Sequence, residues 1–260
     1  MGDDGAALPD SIDTALRRLR KAPRAQAPAL LAAFRDNPGM SRRRSRATGR
    51  LPAHEAVLAA SHGAPHEDRA AINAVLRLLL TQHPEAVRVA DPIGGEWLPL
   101  HRALKSGGVD EDVFPALIGV GLDNAADLCN TPDPEQCLPL VRAIRRRLAS
   151  EQLIRLILES GGAASVVHRH QGTKQGWNAL HFAARHHAPI GIVRSMLGMA
   201  ETSAKAKASL SITPLHIAVS AKASLEMVRL LLQYSDRNVE DSLGRTPLQE
   251  DIPSCITISR

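Results

Sequence analysis

Ser211-Ile212-Thr213-Pro214-Leu215-His216-Ile217-Ala218 reads as the opening of a helix. Thr213 suits the N-cap, because its hydroxyl can accept a bond from a backbone N–H that the first helical turn leaves without a partner. Pro214 then falls at the first helical position, where the missing N–H costs nothing and φ is already set. Leu215 points inward, and Ala218 lets a neighbouring helix come close. One such stretch would mean little, but this chain repeats it.

The copies in chain order begin with Gly49-Arg50-Leu51-Pro52-Ala53-His54-Glu55-Ala56 and Glu96-Trp97-Leu98-Pro99-Leu100-His101-Arg102-Ala103. Gln136-Cys137-Leu138-Pro139-Leu140-Val141-Arg142-Ala143 has lost the histidine, and Gly176-Trp177-Asn178-Ala179-Leu180-His181-Phe182-Ala183 has lost the proline. The 211–218 copy is complete, and Gly244-Arg245-Thr246-Pro247-Leu248-Gln249 closes the series. Between cap positions 51, 98, 138, 178, 213 and 246 the spacings are 47, 40, 40, 35 and 33 residues, shortening along the chain. Five copies are followed by a second stretch with Leu, Ile and Val at helical spacing: Ala71–Gln82, Glu111–Val120, Glu151–Glu159, Ile190–Met199 and Leu225–Tyr234. A turn rich in Asp, Asn and Gly then leads to the next copy. Each helix–turn–helix unit has too little core to stand alone and must stack on its neighbours.

With these residues in view the chain resembles an ankyrin-repeat array. Ser211–Ala218 with its following helix, and the run Asn238 to Leu248, carry the resemblance most specifically; it extends over about residues 47–250. The implied fold is all-α, a solenoid of five to six stacked units over residues 47–260, the last one incomplete. Leu51, Leu98 and Leu138 replace the capping Thr and forfeit its hydroxyl bond. The long spacings imply insertions, the largest around Ser61–Asp68, which reads as a loop. Asp13–Lys21 and Pro28–Asp36 read as two short helices, so that residues 1–46 form a basic arm and 10–48 a degenerate capping unit.

Composition agrees with small-residue helix packing. Hydrophobic residues make up 44% and charged residues 23%, which places the chain outside the disordered class. Aromatic residues are only 2%, too few for a base-stacking platform. Net charge is +5, but residues 1–50 hold eleven Lys/Arg against five Asp/Glu (+6), leaving −1 for the rest. Cys129, Cys137 and Cys255 are too few and too scattered for a disulfide framework, and no secretory signal or membrane span is readable. The expected address is cytoplasmic, or nuclear if the basic run acts as an import signal.

Partners of ankyrin proteins dock on the concave surface of hairpin tips and first helices. Carried over residue by residue, the tip positions are Arg50, Trp97, Cys137, Trp177, Ile212 and Arg245. Trp97 and Trp177 are candidate interface anchors; the alternative is that each packs over its own hairpin. Seven residues after the cap stand Lys105, Arg145 and Arg185, with Arg146 and His186 beside them. Such a cationic stripe favours a protein partner with an acidic surface, unless these are ordinary solvated charges. The resemblance gives Pro52, His54, Pro99, His101, Pro139, His181, Thr213, Pro214, His216, Thr246 and Pro247 a structural role, with the His rings bonding hairpin backbone and linking units.

No nucleophile, phosphate-loop or metal motif is readable, so no catalytic residue, metal or cofactor is expected. His62 and His66 have helical zinc spacing, but Gly63 and Pro65 oppose a helix there. Gly107-Gly108 and Gly161-Gly162 read as turns between paired helices. The run Ser41-Arg42-Arg43-Arg44-Ser45-Arg46 admits solvated charge, nuclear import or weak nucleic-acid contact through residues 17–50, and Ser45 resembles a basophilic kinase site. The expected protein is a monomeric, non-catalytic adaptor or scaffold without membrane contact. The alternatives are a nuclear or nucleic-acid-associated regulator and an ankyrin segment of a larger signalling protein.

Overall fold

The computed structural model describes residues 7–60, 65–93, 95–123, 125–146, 149–171 and 176–247. They form two compact units, Met1–Pro134 and Glu135–Arg260. Among the described residues every regular element is a helix. In the first unit these are α1 (Asp10–Leu19), α2 (Pro23–Asp36), α3 (Pro52–Ala60), α4 (His66–Gln82), α5 (Pro99–Ser106), α6 (Phe114–Ile118) and α7 (Ala125–Asn130). In the second they are α8 (Pro139–Arg145), α9 (Glu151–Val167), α10 (Ala179–His186), α11 (Ile190–Met199), α12 (Pro214–Ser220) and α13 (Leu225–Tyr234).

Within each unit helices pair and the pairs stack in two rows. α3 packs against α1 and α5, while α4 packs against α2 and α6. In the second unit α10 lies between α8 and α12, and α11 between α9 and α13. The repeat's alanine makes the first row possible. Ala56, Ala103, Ala143, Ala183 and Ala218 are all 0% exposed, so a larger side chain at any of them would force the rows apart. Leu and Ile fill the remaining space: Leu76, Leu79 and Leu100 in one unit, Ile157, Leu180 and Leu215 in the other.

The caps differ as the sequence says. Thr213 and Asn178 each form a capping box with the histidine three residues on, whereas Leu98 and Leu138 give no side-chain cap bond. Each hairpin turn carries a left-handed residue immediately before the tip: Gly49, Glu96, Gln136, Gly176, Ser211 and Gly244, with φ between 57° and 81°. Three of the six are not glycine.

The N-terminal pair follows the same plan. α1 packs on α3 and α2 on α4, and after α2 the chain makes a 3-10 turn, Pro38–Arg42, like Pro84–Arg88 after α4 and Glu201–Lys205 after α11. The residues entering those turns, Asn37, His83 and Ala200, share one extended conformation near φ −140°, ψ 75°.

Two local expectations are corrected. Glu67 and Asp68 belong to α4, because acidic side chains suit its first turn; of the expected loop, residues 61–64 lie outside the described residues. The second helix of the third pair is short. A 3-10 turn at Glu111–Val113 leads into α6, which stops at Gly119 in the left-handed region, and α7 is an added helix. At Gly162 (φ 59°, ψ −158°) the backbone leaves helical geometry and divides α9 into two helical stretches, a turn where the glycine pair stands. Gly107 does end α5, with φ 79°. Leu248 and Cys255 lie outside the described residues.

Thr213→Ala removes the hydroxyl that accepts from the His216 N–H. The expected loss is about 1 kcal/mol of unfolding free energy, read from urea denaturation, with no change in the folded circular dichroism spectrum. Equal midpoints for the two proteins would show that the cap contributes nothing.

Candidate protein-binding surface

The repeat's histidine is the element that ties one helix pair to the next hairpin. Leu51, Asn178 and Thr213 donate their backbone N–H to Nδ1 of His54, His181 and His216, each at 3.2 Å. The opposite ring nitrogen donates forward: His54 Nε2 to the Val89 carbonyl (2.7 Å), His181 to Ile212 (3.1 Å) and His216 to Arg245 (3.2 Å). His101 Nε2 bonds the Thr131 carbonyl (2.9 Å). Bonds at both nitrogens of His54 and His216 fit the neutral, Nε2-protonated tautomer; at His181 the Asn178 Oδ1 also stands 2.7 Å from Nδ1, and burial favours the neutral ring. Burial lowers the pKa of all three rings; for His181 it falls to about 4. These rings are structural clips, consistent with the role the resemblance implies.

A buried acid anchors several hairpins, and sequence reading did not single it out. Asp91 Oδ1 accepts from the Ile93 N–H (3.1 Å) and from Arg50 Nε (2.8 Å) of the preceding hairpin. Asp241 Oδ1 accepts from Leu243 and Arg245 N–H, and Oδ2 pairs with the Arg245 guanidinium at 2.6 Å. Asp133 is buried at the corresponding place. The available signal was an Asp five to seven residues before the cap at Leu98, Leu138 and Thr246, since a short acid bonds backbone two residues on. Burial disfavours the Arg50 charge, but Asp91 and Glu55 outweigh it and raise its pKa. Arg50 is therefore a link between hairpins.

The two indoles are not surface anchors. Trp97 is 5% and Trp177 4% exposed, so the alternative reading, packing over their own hairpins, is the correct one. Trp177 stacks on the His181 ring (centroids 5.7 Å apart, 27° between planes) and meets Phe182 edge-on at 5.1 Å. Trp97 supports charge: Lys105 Nζ lies 4.3 Å and the Arg102 guanidinium 5.1 Å from its ring centre. The structure thus brings two expected site residues, Trp97 and Lys105, into one contact. In the next copy Arg145 reaches back to the Cys137 sulfur at 3.5 Å, the same offset of eight residues. Lys105, Arg145 and Arg185 end their helices exposed, while Arg146 and His186 are half-buried. A cation in a last helical turn is also favoured by the carbonyls there.

Five of the eleven cations in residues 1–50 have partners that can be named, Arg50 among them. Arg17 pairs with Asp13, Arg24 with Glu67 and Asp68, Arg46 with Asp10, and Arg44 bonds the Gly49 carbonyl. Ser45 is 3% exposed and its Oγ accepts from the Thr48 N–H, which removes it as a kinase site in the folded chain. Burial pushes the Cys129 thiol up to about 12, so it stays protonated and unreactive. Among the described residues no three His, Cys, Asp or Glu converge as metal ligands, and no helix is long and apolar enough to cross a membrane. His62 lies outside the described residues.

Comparison with known proteins agrees with this geometry. Residues 180–250 match the family model for ankyrin repeats (three copies). The ankyrin repeat domain of Bcl-3, a member of the IkappaB protein family, shares the fold with a TM-score of 0.61 at 17% identity, over 94% of each chain. A chain from the complex of the Bd0816 predatory endopeptidase of Bdellovibrio bacteriovorus with immunity protein Bd3460 gives a TM-score of 0.56 at 16% identity, covering 74% of this chain and 88% of that one. No curated protein sequence matches. The protein is an all-α ankyrin-repeat fold.

The His181 clip predicts a pH dependence. An unfolded imidazole titrates near its ordinary 6.5 and the folded ring near 4, so the unfolded chain binds more protons between these values. Stability from this group is complete above about pH 6.5, falls as pH drops toward 4 and is then lost, a change on the order of 3 kcal/mol. Urea unfolding of wild type and His181→Gln at pH 7.5, 5.5 and 4.5 checks it. The variant should be less stable at pH 7.5 and show a shallower loss on acidification; parallel losses would contradict the assignment.

Proposed function

We propose that the chain is a non-catalytic adaptor or scaffold that binds a partner protein with an acidic surface along the concave face of its repeats. Ankyrin repeats are in general protein–protein interaction modules. The observation that carries the finer reading is the recurrence of an exposed cation, Lys105, Arg145 and Arg185, at the end of successive first helices. Two of the three rest on the residue eight positions back, Trp97 or Cys137, so their range of orientations is restricted before a partner arrives. A preordered surface loses less side-chain entropy on binding than a loose one. Arg146 and His186 widen the same ends. In this reading Trp97 and Trp177 act by supporting the surface rather than by touching the partner.

In the same reading residues 10–48, with α1 and α2 packed on α3 and α4, serve as the end cap of the stack. The nucleic-acid alternative is the weaker one, because five of the eleven cations in residues 1–50, Arg17, Arg24, Arg44, Arg46 and Arg50, already have partners within the protein.

Affinity capture from a cell extract tests the surface. A Lys105→Glu, Arg145→Glu, Arg185→Glu variant should keep its helical spectrum and melt somewhat lower, since all three side chains are exposed but the Trp97 and Cys137 contacts are lost, and it should lose the wild-type partners by about tenfold or more. Recovery of the same proteins at the same yield would exclude this surface. Trp177→Ala should instead lower stability by about 3–5 kcal/mol, as removal of a buried ring does.

A further inference from the structure

A second surface lies in the Glu135–Arg260 unit, away from the ends of the first helices. The segment leaving α9 runs beside the segment leaving α11. Arg169 and Asn178 on one side, with Thr202, Ser203, Lys205 and Lys207 on the other, line a groove of about 460 Å³. A further hollow of about 530 Å³ shares Arg169 and Lys207 with it and takes in His170, Gln171 and Ser209. Among the described residues three cations therefore line the pair of hollows, and no carboxylate lines either.

The groove is held in shape. The Arg169 guanidinium donates to the Lys207 carbonyl at 2.8 Å, which fixes its head across the two segments. The Asn178 amide donates to the Ser203 carbonyl at 2.9 Å, tying the helix cap to the opposite wall. Ser203 is 3% exposed and its hydroxyl has no hydrogen-bond partner. An unmet buried hydroxyl is costly, and an incoming oxygen would relieve it. The positive field reaches inward as well. After burial, Arg169 contributes to the lowered pKa of His181, and Lys207 to that of His216.

We infer that this groove binds a phosphoryl group carried on an extended segment of a partner protein. Three cations without an opposing acid match a dianion better than a single carboxylate. The hydroxyls of Thr202 and Ser203 add donors for its remaining oxygens. The paired hollows exceed one phosphate in volume, which leaves room for chain on either side. Among the described residues no Trp, Tyr or Phe lines them, so the rings that hold single-stranded nucleic acid are not supplied there. The inference does not depend on the cationic helix ends proposed above.

The test uses the full chain and two fluorescein-labelled peptide mixtures with random flanks, one centred on phosphoserine and one on serine. Fluorescence anisotropy should show at least about tenfold tighter binding of the phosphorylated mixture, competed by inorganic phosphate. Lys205→Glu, Lys207→Glu should abolish the preference, and Ser203→Ala, which leaves the charge intact, should weaken it. Arg145→Glu, Arg185→Glu should leave it unchanged, which separates this site from the helix-end surface. Equal binding of the two mixtures, or a preference that survives Lys205→Glu, Lys207→Glu, would overturn the inference. Tighter, steeply salt-dependent binding of a labelled poly-uridine would reassign the groove to nucleic acid.

Discussion

One imidazole, bonded at both nitrogens, sets the distance between a helix pair and the hairpin that follows. His54, His181 and His216 accept the backbone N–H of their own cap residue at Nδ1 and donate Nε2–H to a carbonyl of the next hairpin. The geometry demands a neutral ring, and burial supplies one. Because the bond runs between units, it does for polar groups what the zero-exposure alanines do for apolar ones: it lets backbones approach closely without leaving a donor stranded. The clip is not required at every step. Val141 replaces it in α8 and is fully buried, so apolar contact alone can hold one junction.

The fold was legible because its rule is local and repeated. Pro at the first helical position, Ala three residues further on and a capping side chain each act within one turn, and the copies reinforce one another. Ile190–Met199 and Leu225–Tyr234 form helices with the bounds their periodicity gives. What escaped was decided by single residues. Gly119 in the left-handed region cuts α6 short. The added helix α7 sits in an insertion, where no repeat guides the eye.

The binding surface was less legible, for a physical reason. A sequence shows which residues share a position in the repeat but not which side of that position is spent on the neighbour. Trp97 and Trp177 occupy tip positions, yet their rings are consumed by Lys105, Arg102 and His181. Arg50 and Arg245, also at tips, are consumed by Asp91 and Asp241. Lys105, Arg145 and Arg185 remain exposed because they lie a full two turns beyond the hairpin. Arg169, Lys205 and Lys207 fall outside the repeated octet altogether. They converge only because two linkers run side by side.

Glu96, Gln136 and Ser211 occupy the left-handed site that glycine fills in the other three hairpins. A side chain there costs roughly 1 kcal/mol more than glycine would. Selection has evidently not driven this protein to its thermal ceiling. The same backbone has headroom that a designer could reach through three loop positions, without touching either the helices or the surfaces they display.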